Sequence, residues 1–187
     1  MKKHDEANRI ALDLLRKKQH KDCFASPLEF LLDEHMRQRA LFGLLDNLSV
    51  GAHLGAAYLE AVICFLKSDF ALHVLDEEED LFPLLRRRVN DDGQLEHLLG
   101  KLSSEHLRDR ERARLILIGL NDGAPFSIEF LEMLRDFSGS ERRHLIVENA
   151  IIIPLARACL SETDLVMIGV RMAARRGMEI EGNLCLN

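Results

Sequence analysis

Tryptophan is missing from the 187 residues, and proline occurs only four times. Leu, Ala, Glu and Arg are abundant instead, which favours helix over strand. No segment alternates at period two, so half-buried β-strands are not expected. No apolar run approaches the roughly 20 residues that span a bilayer. A basic excess is lacking too. The net charge of −6 argues against nucleic acid and against an anionic membrane as partners. The four cysteines, Cys23, Cys64, Cys159 and Cys185, contain no Cys-x-x-Cys pair, which suggests neither a disulfide framework nor a zinc ribbon. The opening MKKHDEANRIALDLLRKK has no signal-peptide core, and a reducing cytoplasm is the expected location.

What the chain does have is histidine and glutamate at a repeated spacing. HVLDEEEDLFP from His73 to Pro83 is echoed by HLIVENAIIIP from His144 to Pro154. In each copy a histidine precedes a glutamate by four residues, one helical turn, so both side chains share a face. Subtracting 71 takes His144 to His73, Glu148 to Glu77 and Pro154 to Pro83. The same step takes His106 to His35, inside the matching segments EHLRDR and EHMRQR. The chain thus reads as two copies of one unit, and the matching positions are mostly potential metal ligands.

Periodicity and turn residues predict an all-α fold, an up-down-up-down four-helix bundle with short flanking terminal helices. A leading helix over residues 6–19 places Ile10, Leu14 and Leu15 at helical spacing. Ser26-Pro27 opens the next, with serine as N-cap, and carries Leu28, Leu31, Leu32, His35, Phe42, Leu45 and Leu48 on one stripe. Residues 49–55 form a turn. A long helix then runs over 56–89, with a kink expected at Pro83, up to a turn at 90–93. The third long helix reaches about Leu120. The fourth runs from about Ser127 to Cys159, with an interruption expected at Ser138-Gly139-Ser140. Ser161 and Asp164 form a capping box for a last helix that stops at Gly177, before a loosely held tail. The domain limits are 1–25 for the leading helix and linker, 26–160 for the bundle, and 161–187 for the last helix and tail.

A single histidine on an apolar face is more often a satisfied core residue than a ligand. Four histidines on four successive helices, two with a carboxylate at i+4, reverse that weighting. Two carboxylates in a bundle core are costly unless something cationic compensates them, and divalent metals do so. The expected ligands are His35, His73, Glu77, His106, His144 and Glu148. The other histidines serve as controls: His53 and His97 fall on roughly opposite faces, and His4 and His20 lie in the polar N-terminal region, so all four should be solvated. Glu78 is a reserve ligand among an otherwise solvated acidic run. Arg39 and Arg110 border the histidine face, either snorkelling to solvent or pairing with Glu77 or Glu148. Tyr58 is expected to pack. Imidazole and carboxylate without thiolate suit iron, manganese or zinc.

At these residues the sequence resembles the hemerythrin-like, HHE cation-binding family. The resemblance rests on PLEFLLDEH ending at His35, HVLDE with LFP, SSEH ending at His106, and HLIVE with IIP. It covers roughly residues 27–160, and MAARRG near residue 174 is similar to the tail of bacterial members. It implies a non-haem centre of two Fe ions, oxo- or hydroxo- and carboxylate-bridged, with two histidines on each iron and Glu77 and Glu148 bridging. Zinc or manganese could replace iron on purification. The oxygen-carrying hemerythrins have a second histidine one turn after the third-helix histidine, and Arg110 stands there instead, which implies a more open site. Relatives that repair iron–sulfur centres share the four-histidine, two-glutamate set. Three functions follow: a protein that binds or senses O2 or NO or handles iron; an oxidative, NO- or peroxide-consuming or iron–sulfur repair enzyme; or a metal-stabilised interaction module.

Overall fold

Helix is the only regular structure among the described residues, which in this computed structural model are 2–48, 55–89 and 93–180. The turns expected at 49–55 and 90–93 fall largely outside them, as do His53, the side chain of His4 and residues 181–187. Helix α1 (Lys2–Arg16) is followed by a 3-10 turn (Lys21–Ala25) and α2 (Pro27–Asp46). A rod over 56–88 comprises α3 (Ala56–Lys67), α4 (Asp69–Asp76), a π turn (Glu77–Leu81) and α5 (Phe82–Arg88). Helix α6 (Gly93–Asp122) leads to a second composite rod of α7 (Ile128–Val147), a π turn (Glu148–Ile152) and α8 (Ile153–Cys159). Helix α9 (Glu162–Arg175) follows. The rods at 27–46, 56–88, 93–122 and 128–159 each carry one of the four histidines, and α1 and α9 pack against them.

The two π turns begin at Glu77 and at Glu148, so the 71-residue echo extends to the backbone. In each, an N–H bonds the carbonyl five residues back, Phe82 to Glu77 and Ile153 to Glu148. Proline follows in both cases and falls in the first turn of the next α-helix, a position that tolerates its missing N–H. The kink expected at Pro83 is thus met by a widened turn, a feature concentrated at functional sites.

Other expectations need correction. Helix α7 runs unbroken through Ser138-Gly139-Ser140. A helical glycine costs only about 1 kcal/mol, and the burial of Leu134, Phe137 and Leu145 on either side offsets that. Helix α1 turns Ala11 and Leu15 inward and leaves Ile10 exposed. Ser26 sits at the N-cap of α2 without a side-chain cap bond. The capping box at Ser161 is present: its Oγ accepts from Asp164 N, and Asp164 Oδ2 accepts from Ser161 N. Met178 and Ile180, the described part of the tail, pack against the core.

Helix α2 buries more than one stripe because α1, α7 and α9 all pack on it. Its Arg37 is buried and caps the end of α1, donating to the carbonyls of Leu14 and Leu15 at 3.1 and 3.0 Å. Glu34 and Asp69 neutralise that guanidinium, accepting at 2.6 and 2.9 Å.

The core has two apolar clusters. One gathers Leu41, Phe42, Val62, Phe65, Phe70, Ile116 and Phe137. The other gathers Phe24, Leu31, Leu81, Phe82, Leu99, Leu102 and Ile153. His35 lies between Leu31 and Phe42 along α2, and His73 between Phe70 and Leu81 along its rod, so the histidines form a polar layer between the clusters.

Candidate metal centre

All six expected ligands are buried, and their donor atoms converge. His35, His73, Glu77 and Glu148 form one quartet with ligand atoms within 4.8 Å of one another; Glu77, His106, His144 and Glu148 form another. The two glutamates belong to both. Glu77 turns Oε1 toward His35 and His73 (3.7 and 3.5 Å to Nε2) and Oε2 toward His106 (3.3 Å). Glu148 turns Oε2 toward His35 (3.4 Å) and Oε1 toward His144 and His106 (2.8 and 3.8 Å). Each carboxylate thus presents one oxygen to each half of the site.

The donor chemistry fits metal ions. None of the four oxygens of Glu77 and Glu148 meets hydrogen-bond geometry, and His35 Nε2 has no partner either. Buried polar atoms are rarely left so, and five of those found here gather in this one cluster. Metal–donor bonds of about 2.0–2.2 Å leave donors on opposite sides of one ion about 4.4 Å apart at most, in keeping with the quartets.

The charges of the unloaded cluster are strongly perturbed. Burial pushes the Glu77 carboxyl up, but His73, His106 and His35 outweigh it and hold the group well below the usual carboxylate range. Burial likewise disfavours the His144 imidazolium, yet the Glu148 carboxylate beside it raises the pKa to about 10. His106 is raised well above its ordinary value by Glu77 and Glu78 against the same burial. His73 goes the other way, to about 3, because burial and the neighbouring imidazoles outweigh Glu77.

Three histidines are oriented from behind. His106 Nδ1 donates to Glu78 Oε1 at 2.6 Å, His144 Nδ1 to Glu105 Oε2 at 2.9 Å, and His35 Nδ1 to Asn149 Oδ1 at 2.8 Å. An Nδ1–H fixed in this way directs the Nε2 lone pair to the centre. Ser103 Oγ in turn donates to Glu78 Oε2. Phe82 stacks on His106 at 5.8 Å between ring centroids.

A family model for the hemerythrin HHE cation binding domain matches residues 26–156. The chain belongs to that family. A comparison with curated proteins returned no match.

Within this hemerythrin domain, Glu78 is no reserve ligand: it points away from both quartets and orients His106. Glu105 and Asn149 were not foreseen in that role, although the echo relates Asn149 to Glu78. Arg39 and Arg110 are exposed and pair with neither Glu77 nor Glu148, so the snorkelling reading holds. His20 and His97 are exposed, as expected of controls, and Tyr58 packs against the apolar core. Two buried acids were also missed. Asp109, one turn after His106, and Glu141, one turn before His144, are both buried; burial and the charge of Asp109 push the Glu141 carboxyl well above its usual range.

Proposed function

We propose that the protein is a non-haem di-iron member of the hemerythrin family that binds or senses O2 or NO, or handles iron. The observation that carries this reading is the sharing of Glu77 and Glu148 between the two quartets, with their oxygens buried, facing the histidines and outside hydrogen-bond geometry. His35 and His73 would hold one ion, His106 and His144 the other, with both glutamates bridging. Such a pair supplies reversible one-electron steps and open positions for a small ligand. The chain supplies the rest. Glu78, Glu105 and Asn149 aim the imidazoles, while Phe82 and the flanking apolar clusters keep bulk water away. Arg110 offers no lone pair, because guanidinium stays protonated. Its exposed position provides none of the extra nitrogen found in the oxygen carriers. The donor set therefore favours reaction with or sensing of a diatomic over its stable carriage. The bundle unit is proposed to span 26–160, flanked by 1–25 and 161–187, in a cytoplasmic protein.

A second reading, an oxidative or NO- or peroxide-consuming enzyme, is favoured by one observation. Asp109 and Glu141, both buried, stand one turn from His106 and His144, and burial raises the Glu141 carboxyl well above its usual range, which suits it to supply a proton when such ligands are consumed.

Metal analysis of aerobically purified protein, with spectra before and after reduction and on exposure to O2 and NO, tests both. Two irons per chain, the near-UV bands of a diferric pair and a spectral response to NO are expected. A colourless zinc form that ignores both gases would reduce the centre to a structural role. The orienting residues give a graded check. Glu78→Gln and Asn149→Ala should each weaken metal affinity about 10–100-fold without changing stoichiometry. Equilibrium dialysis reads both quantities, and wild-type affinity in both variants would remove the orienting role.

A further inference from the structure

Helix α9 lies wholly beyond the matched segment 26–156, yet it is tied at both ends to the rod that carries Glu77. At its start, Asp164 accepts from Arg88 Nε and Nη2 at 2.9 and 2.7 Å, and Arg88 is the last residue of α5. At its end, Arg175 donates to Asp76 Oδ1 at 3.0 Å, to Glu79 Oε2 at 2.9 Å, and to Asp80 Oδ2. Arg176 Nη2 stands 2.8 Å from Asp76 Oδ2, and Arg171 Nε 2.7 Å from Asp80 Oδ1. Asp76 and Asp80 are buried; they flank Glu77, one just before it and one inside its π turn.

The seat of α9 is itself tight. A Cβ on Gly169 would stand 2.1 Å from the Phe24 carbonyl oxygen, so only glycine allows this approach. The Arg176 guanidinium lies over the rings of Phe24 and Phe30 at 5.6 and 4.8 Å. The Glu148 π turn has no counterpart to this arrangement. The echo places Val147, Asn149, Ala150 and Ile151 where the first turn has Asp76, Glu78, Glu79 and Asp80. Among the described residues, cations grip the Glu77 turn and not the Glu148 turn.

We infer that α9 is a strap across the Glu77 π turn, with Arg175 and Arg176 as positioning residues for that one bridging carboxylate. The need for it is physical. A π turn is intrinsically rare, and a shared carboxylate must be held within about 0.5 Å of its working place. Buried guanidinium–carboxylate contacts are weakly screened and directional, which suits them to that task. This inference rests on the dinuclear reading.

The test uses the full chain, loaded anaerobically with Fe(II). Iron affinity and stoichiometry are measured by dialysis, and the near-UV spectrum is recorded after oxidation in air. Arg175→Gln should bind iron about 10–100-fold more weakly, the usual scale for groups behind the ligands, with a shifted spectrum. Arg175→Lys should recover part of both. Arg171→Gln loses a half-exposed contact that the fold tolerates, and it should move both readouts in the same direction by a smaller factor. Ser161→Ala loosens Asp164, which holds Arg88 at the start of α9, but leaves Arg171, Arg175 and Arg176 on the Glu77 turn; it should lower Tm while affinity and spectrum stay as in wild type. If the arginine variants behave like Ser161→Ala, with lower Tm but unchanged affinity and spectrum, the strap is overturned and the dinuclear centre stands. Wild-type protein that takes up no iron would overturn both.

Discussion

Glu148→Ala protein is expected to lose metal from both positions at once, an effect matched only by loss of the other shared carboxylate, Glu77. Glu148 turns Oε1 toward His144 and His106 and Oε2 toward His35, so truncation removes one donor from each quartet. The affinity loss should exceed the roughly 100-fold upper range of changes behind the ligands. His144→Ala removes a donor from one quartet only and should leave the His35–His73 side loaded. Native mass spectrometry of iron-loaded protein distinguishes them: no metal for Glu148→Ala, one ion for His144→Ala. A Glu148→Ala protein that keeps one tightly held ion would show that the carboxylate serves a single metal.

The buried His/Glu cluster was legible because side chains that converge from helices recur at helical spacing, and this chain carries the pattern twice. His73 with Glu77 and His144 with Glu148 needed only the 3.6-residue period. His35 and His106 needed the echo. The helical fold followed from apolar periodicity and from the turn residues at the rod ends. The π turns were not legible as such. Proline announces a disturbance at residues 83 and 154, but the sequence does not say whether the backbone kinks or takes in an extra residue. Nor did the stripe on α2 show that Glu34, Arg37 and Gln38 would be buried, because their burial depends on α1 folding back onto α2 and on α9 arriving from far along the chain. The residues behind the ligands were half visible. Glu78 and Asn149 occupy one echo position and do one job, each orienting a histidine of the other copy. Asp109 and Glu141 gave no signal, since a lone carboxylate among charged neighbours looks solvated until a second helix covers it.

Removing the metals should lower Tm by about 8–16 °C for each ion near neutral pH. The unloaded layer holds two carboxylates and four imidazoles between apolar clusters, with orphaned oxygens on Glu77 and Glu148. Effective penalties for such buried charges run to several kcal/mol each. Each ion that binds the folded chain alone, at a free concentration about 1,000 times its Kd, adds about 4.1 kcal/mol. For a chain of this size each kcal/mol is worth about 2–4 °C. By contrast, deleting an exposed pair such as Arg157 with Glu29 should cost about 0–1 kcal/mol. The gap between loaded and unloaded protein should also widen with pH. In the unloaded chain, His144 is raised to about 10 from 6.5, so its pairing with Glu148 stabilises fully below pH 6.5 and fades as pH rises toward 10. His73 is depressed to about 3, which costs unloaded stability as pH falls below 6.5. Bound metal takes the place of the protons on these nitrogens, so metal affinity gains as pH rises past 6.5 and unloaded stability from His144 declines over the same range. Scanning calorimetry of chelated and iron-loaded protein at pH 6 and pH 9 reads both effects. Equal Tm values at both pH values, with metal demonstrably bound, would mean that His144 is no metal donor and that the layer is as well satisfied by protons as by ions.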